Sequence, residues 1–296
     1  MRTTLLTSVV LAATLTPARA AEPTAFDRTN LVAWCVVPFD AKKRSPEDRA
    51  AMLKRLGFQR YAYDWRAEHL PTFDREVVAL KANGVELTAV WFPADLGPDA
   101  QKLLAVVKKH GLKPQLWVTM GTPGGRTQAE KVEATAKVIR PVAEAADALG
   151  CTVGLYNHGG WFGEPENQLA VVAHLKLKNV GLVYNLHHGH DHLARFPDLL
   201  KAMRPHLLAL NLNGMVAGGD KAGKKILPLG QGDLDLKLLE TIAASGYAGP
   251  VGILGHTNDD AEERLRDNLD GLDWLVPQLA GKPAGPRPKP RTPTSG

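Results

Sequence analysis

Two rhythms of apolar and polar positions take turns along this chain. Short apolar runs, rich in leucine, β-branched and aromatic residues, predict strands at 31–39, 59–65, 86–92, 114–120, 152–156, 180–186, 207–212 and 251–254. An amphipathic, helix-like run follows each one. Ser45-Pro46-Glu47-Asp48 has the make-up of a helix start, with a capping hydroxyl, a proline at the first turn and early acids. The alanine-rich run 127–149 stops at Gly150, and 259–276 carries Leu265, Leu269, Leu272 and Leu275 at helical spacing. Eight β-α units in roughly 250 residues match a single-domain α/β chain folded as a (β/α)8 TIM barrel. An open doubly wound sheet is the competing arrangement. It calls for a glycine-rich phosphate turn after the first strand, where this chain has Pro38-Phe39-Asp40-Ala41-Lys42-Lys43.

The two ends differ from this body. Arg2, the apolar stretch 5–15 and Ala18-Arg19-Ala20 have the layout of a secretory signal over residues 1–20, so the barrel is expected over 21–280 in an exported protein, periplasmic or extracellular. Residues 281–296 are rich in proline and basic side chains without core-forming residues, and are expected to be disordered or polyproline-like. The formal charge of +5 resides in these ends: without Arg2, Arg19 and four tail cations, 30 basic residues face 31 acidic ones. A near-neutral body argues against a nucleic-acid footprint. No segment is apolar enough to span a membrane. Cys35 and Cys151 fall in or beside strand-like runs, which suits buried free thiols, although an exported protein also permits a bridge.

Candidate chemistry gathers at the predicted strand ends, where the side chains of a barrel converge on one mouth. Asn157-His158-Gly159-Gly160-Trp161 follows strand five, with Trp161 a platform for a sugar ring. Glu164 is either an acid/base group or a helix-start carboxylate. Asn185-Leu186-His187-His188-Gly189-His190-Asp191-His192 follows strand six. Alternation along an extended chain selects His188 for the pocket and leaves His187 and His192 as exposed loop residues. Asn211 and Asn213 share a face after strand seven, suited to sugar hydroxyls or to a turn before Gly214. His256 follows strand eight. Asp64 and Arg66 end strand two, and a buried Asp64 needs a partner such as Arg66 or a histidine. Trp91 ends strand three, and the long segment 215–231 suits a lid carrying Lys224 or Lys225.

With Leu155-Tyr156-Asn157-His158-Gly159-Gly160, Tyr184-Asn185-Leu186-His187-His188, and Leu229-Gly230-Gln231-Gly232 followed by Gly246-Tyr247-Ala248-Gly249, residues 30–278 resemble the xylose isomerase-like TIM barrels, the sugar phosphate isomerase/epimerase superfamily. That superfamily also includes inosose dehydratases, keto-sugar lyases and endonuclease IV. The resemblance implies a divalent metal held by Glu, Asp, His and Glu at the ends of strands five to eight. Those places here hold Tyr156, Asn185, Asn211 and Leu254. Two arrangements are compatible with this departure. One is a relocated site in which His158, His188 and His256 bind one divalent ion such as zinc, manganese or cobalt. The other is a metal-free pocket in which histidines move protons, helped by Asp64, Glu164 or Lys224. The expected activity is isomerase, epimerase or lyase chemistry on a small carbohydrate by proton abstraction next to a carbonyl. Asn157, Asn185, Asn211, Asn213, Trp91, Trp161, Arg66 and Lys224 would hold the substrate. The alternative is a carbohydrate-binding barrel that has lost the family metal site. Oligomeric state is not legible.

Overall fold

A computed structural model describes residues 25–291; the expected signal segment and residues 292–296 lie outside them. Eight parallel strands close into a barrel in chain order, each hydrogen-bonded to its sequence neighbours and β8 to β1. They are β1 (Leu31–Trp34), β2 (Arg60–Tyr63), β3 (Glu86–Phe92), β4 (Gln115–Val118), β5 (Thr152–Tyr156), β6 (Val180–Asn185), β7 (Leu207–Leu212) and β8 (Val251–Leu254). Among the described residues the α-helices between and after them are α1 (Pro46–Arg55), α2 (Phe73–Ala82), α3 (Pro98–Lys109), α4 (Gln128–Asp147), α5 (Gly160–Gly163), α6 (Pro165–Leu175), α7 (Phe196–Met203), α8 (Asp235–Ala244) and α9 (Ala261–Leu279). The (β/α)8 barrel expected from the apolar periodicity is therefore the fold. No helix of the described residues is long and apolar enough to cross a membrane.

Local chemistry explains the boundaries. Ser45 caps α1 by accepting the Asp48 N–H at 3.2 Å, and Thr127 and Glu130 form a reciprocal capping box at α4. Strand β1 stops five residues sooner than its apolar run, because the chain turns at Cys35 with φ of 54°. The turn is held by Asp64, whose Oδ1 accepts the Val36 and Val37 N–H groups at 3.0 and 3.1 Å. Strand β6 stops at Asn185 because its own side chain accepts the His187 N–H at 3.0 Å and winds Leu186–His188 into a 3-10 turn. Both cysteines are buried free thiols.

The barrel interior is filled unevenly. Trp34, Trp117 and Tyr156 are all buried inside it, with the two indole centroids 3.9 Å apart. Ala62, Ala89, Gly154, Ala209 and Gly252 make the room for them, so large residues on some strands are matched by small ones on others.

The C-terminal segment is tethered. Its residues up to Arg291 carry no helix or strand. Trp274 Nε1 nonetheless donates to Gly285 O at 2.8 Å, Gln231 donates to Pro288 O, and the Arg291 guanidinium pairs with Asp267 and Asp270 on α9. The stretch is thus element-free but tied to α9 through the carboxylates that pair with Arg291.

A methyl group on Gly252 would run into the Trp34 ring and lie 2.6 Å from Asn211 Oδ1. Gly252→Ala should therefore cost about 1–3 kcal/mol of unfolding free energy by overpacking. Urea denaturation checks this, and an unchanged midpoint would show that the interior can give way.

Candidate active site

Imidazoles from three strand ends form one row at the C-terminal mouth of the barrel. His158 follows β5, His187 and His188 follow β6, and His256 follows β8. Ring centroids are 4.4 Å apart for His158 and His188, 4.2 Å for His188 and His187, and 5.0 Å for His187 and His256. His158, His188 and His256 are thus brought together as the sequence suggests, but His187 joins them. It is buried rather than exposed. The alternation argument fails there because the chain is no longer extended: the 3-10 turn set by Asn185 folds His187 back into the barrel. The readable signal was Asn185 two residues before His187, the spacing of an Asx turn. His192 is likewise buried, with Nδ1 3.0 Å from the Tyr184 hydroxyl.

Below the row lies a closed amide frame. Asn157 Oδ1 accepts the Asn185 N–H at 2.7 Å while its Nδ2 donates to Asn185 O. Asn185 Nδ2 donates to the Tyr156 hydroxyl at 2.6 Å, and its Oδ1 accepts from Asn211 Nδ2 at 2.7 Å. Asn213 Nδ2 donates to Gly214 O. All four asparagines are buried. The amides of Asn157, Asn185 and Asn211 are thus engaged in joining β5, β6 and β7, and that of Asn213 bonds within the loop after β7. Asn211 Oδ1 and Asn213 Oδ1 have no hydrogen-bond partner, but neither reaches the surface.

Three further expectations are corrected. The partner of Asp64 is the backbone of the β1 turn, not Arg66 or a histidine; burial raises its carboxyl to about 6, against the lowering effect of those N–H groups. Glu164 pairs with Arg195 at 2.8 Å and approaches His192 at the start of α6, which is the helix-start reading rather than an acid/base group in the mouth. In the loop after β7, Lys225 lines the mouth, whereas Lys224 is exposed and is held only through its backbone. His190 Nε2 and Asn213 Nδ2 both donate to Lys225 O, at 2.9 and 3.4 Å, and fix that residue.

Two aromatics remain accessible. Trp91 is half-buried, edge-on to Trp34 and Trp117 at 5.6 and 4.7 Å, with its carbonyl held by Trp65 Nε1. Trp161 donates to Gln128 Oε1 at 2.9 Å, which anchors it to α4 without any ring contact to the histidine row. Arg66 lies over the Phe39 ring, which in turn stacks on His256 at 3.8 Å.

Electrostatics keep the row neutral. Burial, and then the neighbouring imidazoles and Lys225, push His187 down to about 2 and His188 to about 3. Burial, then Arg66, His158 and Lys225, lower His256 to about 4, and His158 is lowered chiefly by burial. A neutral imidazole has one N–H to give and one lone pair to take a proton. The family's metal does not fit these residues. The strand ends offer Tyr156, Asn185, Asn211 and Leu254. Among the described residues no three His, Cys, Asp or Glu side chains are grouped to hold an ion, and this includes His158, His188 and His256.

The buried imidazoles carry a pH signature. A histidine with a folded pKa below its unfolded value of 6.5 stabilises the fold above that pH and loses this contribution as pH falls toward the folded value. Asp64 and Asp235, raised by burial to about 6 and about 7, act oppositely: their contribution is present in acid and lost as pH rises through those values. The net expectation is a fold that weakens between pH 6 and 5. His187→Asn should reduce the slope of unfolding free energy there by about 1.4 kcal/mol per pH unit, one proton's worth. Urea titrations at several pH values read this slope, and an unaltered slope would mean that His187 is not held neutral.

A family model described as the xylose isomerase-like TIM barrel matches residues 99–277. No curated protein matches this sequence. Among solved structures, 3-keto-D-glucoside 4-epimerase from E. coli superposes with a TM-score of 0.61 at 16% identity, covering 83% of this chain and 98% of that one. D-Psicose 3-epimerase from Clostridium cellulolyticum gives 0.62 at 16% identity, covering 85% and 99%. The zinc-bound IolI protein gives 0.64 at 16% identity, also covering 85% and 99%. At such identities the likeness is one of fold, but the family match spans more than half of the chain: this protein belongs to the xylose isomerase-like TIM barrel family.

Proposed function

We propose that the chain is an exported carbohydrate-active enzyme that moves a proton on a carbon next to a carbonyl, by isomerase, epimerase or lyase chemistry. The observation that carries this is the row of four neutral imidazoles at the mouth, where barrel enzymes of every chemistry keep their reacting groups. The epimerases among the structural neighbours support the carbohydrate class, and the signal-like residues 1–20 support export.

The roles follow from position. His158 is the exposed member of the row, so it is the one able to exchange protons with bulk water. It takes the proton from the substrate carbon. The N–H of half-buried His188 holds the carbonyl oxygen as negative charge develops on it. A depressed imidazole pKa suits that task, since the neutral ring donates without first giving up a proton. Trp91 offers its accessible ring as a face for the sugar. One observation favours a second reading, a carbohydrate-binding barrel without catalysis: the closed Tyr156–Asn185–Asn211 frame stands where the family places carboxylates.

Deuterium exchange tests the assignment whichever product is formed. In D2O, a panel of keto-sugars should gain deuterium next to the carbonyl, read by mass spectrometry. His188→Ala should slow the exchange at least about 100-fold while leaving the circular dichroism spectrum intact. Unchanged exchange in that variant would refute the role of His188. Sugar binding without any exchange would establish the second reading.

A further inference from the structure

We propose that the substrate is a sugar acid, whose carboxylate seats in the cavity between His187, His256 and Lys225. This rests on the carbohydrate reading above and narrows it.

A cavity of about 610 Å³ opens beside the histidine row, between the loops after β7 and β8. Its lining includes His187, His256, Lys225, Asp220, Thr257 and Asp259. His187 is 5% exposed, and its Nδ1 has no hydrogen-bond partner. That nitrogen is sealed from the cavity, so the ring meets it through its other edge, where Nε2 can donate to a ligand. The carboxylates nearby are already engaged. Asp220 pairs with Lys225 at 2.9 Å, Asp259 pairs with Arg264 at 2.7 Å, and Asp64 is held under the β1 turn. Lys225, Arg66 and the neighbouring histidines are the charges that act most on these rings, and all are cationic when charged. Lys225 is the cation of this lining, and the neutral His187 and His256 add N–H donors beside it, so a ligand carboxylate is the group that can take the ammonium over from Asp220.

The anion is a carboxylate rather than a phosphate because the barrel's usual phosphate seats are closed. Such seats use backbone N–H groups after strands seven and eight and at helix N-termini. After β7, Asp235 accepts the Met215, Gly230 and Gly232 N–H groups at 2.7, 2.8 and 3.0 Å. After β8, Asp260 accepts the Glu262 N–H at 3.1 Å, and Asp40 accepts the Ala261 N–H at 3.3 Å. The protein's own carboxylates thus take up the loop N–H groups after β7 and those at the start of α9. What remains is side chains: a flexible ammonium and two imidazoles, which suit the two oxygens of a carboxylate. Lys225 can leave Asp220 for the ligand without moving its backbone, since His190 and Asn213 hold its carbonyl.

Calorimetric titration of the purified protein compares D-glucuronate with D-glucose, D-galacturonate with D-galactose, and D-gluconate with D-glucitol, with D-glucose 6-phosphate as a further arm. At least one acid should bind about tenfold or more tightly than its neutral counterpart, and the preference should shrink with added salt. Lys225→Met should abolish the preference, and Lys225→Arg should restore it. Equal binding of acids and neutral sugars would overturn the carboxylate seat and leave the carbohydrate reading standing. A preference for the phosphate ester over the acids would overturn the carboxylate in favour of phosphate. An acid preference unaffected by Lys225→Met would overturn the assignment of the seat. Binding of neither class would overturn this inference and the carbohydrate reading together.

Discussion

The Asn185 carboxamide is the joint on which the mouth of this barrel depends. Its oxygen accepts both the His187 N–H and the Asn211 amide, and its nitrogen donates to the Tyr156 hydroxyl. One buried side chain thereby ties β5, β6 and β7 together and sets the turn that presents His187 and His188. A carboxylate could accept in two directions but could not donate to the phenol when ionised. The neutral amide therefore allows an uncharged frame in a place where an anion would need a cation beside it. The Asn157 exchange with the Asn185 backbone closes the frame on its β5 side.

An uncharged frame has consequences for the groups above it. Among the described residues no carboxylate is among the charges that act most on these histidines, and burial then drives the rings neutral. Such rings are poor permanent cations and good neutral donors. This neutrality is what the proposed oxyanion-holding role of His188 draws on. The donors present do not fit the metal-centred chemistry implied by the carboxylate ligands of the family pattern. The same neutrality reserves the fixed positive charge for Lys225 and Arg66 at the rim, where a ligand can meet it.

The aromatic interior complements this frame. Tyr156 belongs to both: its ring packs with Trp34 and Trp117, and its hydroxyl accepts from Asn185. The space under the mouth is filled by rings, and the small residues Ala62, Ala89, Gly154 and Gly252 on neighbouring strands admit them. Packing and polar satisfaction are thus solved together at one residue, which leaves little freedom to change either alone.

Much of the architecture was determined by the sequence alone. Apolar periodicity and cap chemistry specify eight β-α units, because each strand and helix has to bury its own apolar face whatever its neighbours. Strand-end position placed His158, His188 and His256 at one mouth for the same reason, as the barrel collects its strand ends there. The tertiary structure decided what side chains do once they meet. Whether Asp64 answers to Arg66 or to the Val36 and Val37 N–H groups depends on a turn in another β-α unit. Whether asparagines face a ligand or each other depends on the register of β5, β6 and β7. His187 turned inward because an amide two residues earlier captured its N–H, and Glu164 turned away because Arg195 and His192 lie on the neighbouring unit. Hydrogen bonds and ion pairs of this kind are short-ranged and directional, so they are settled by partners distant in the chain that a linear pattern does not bring together.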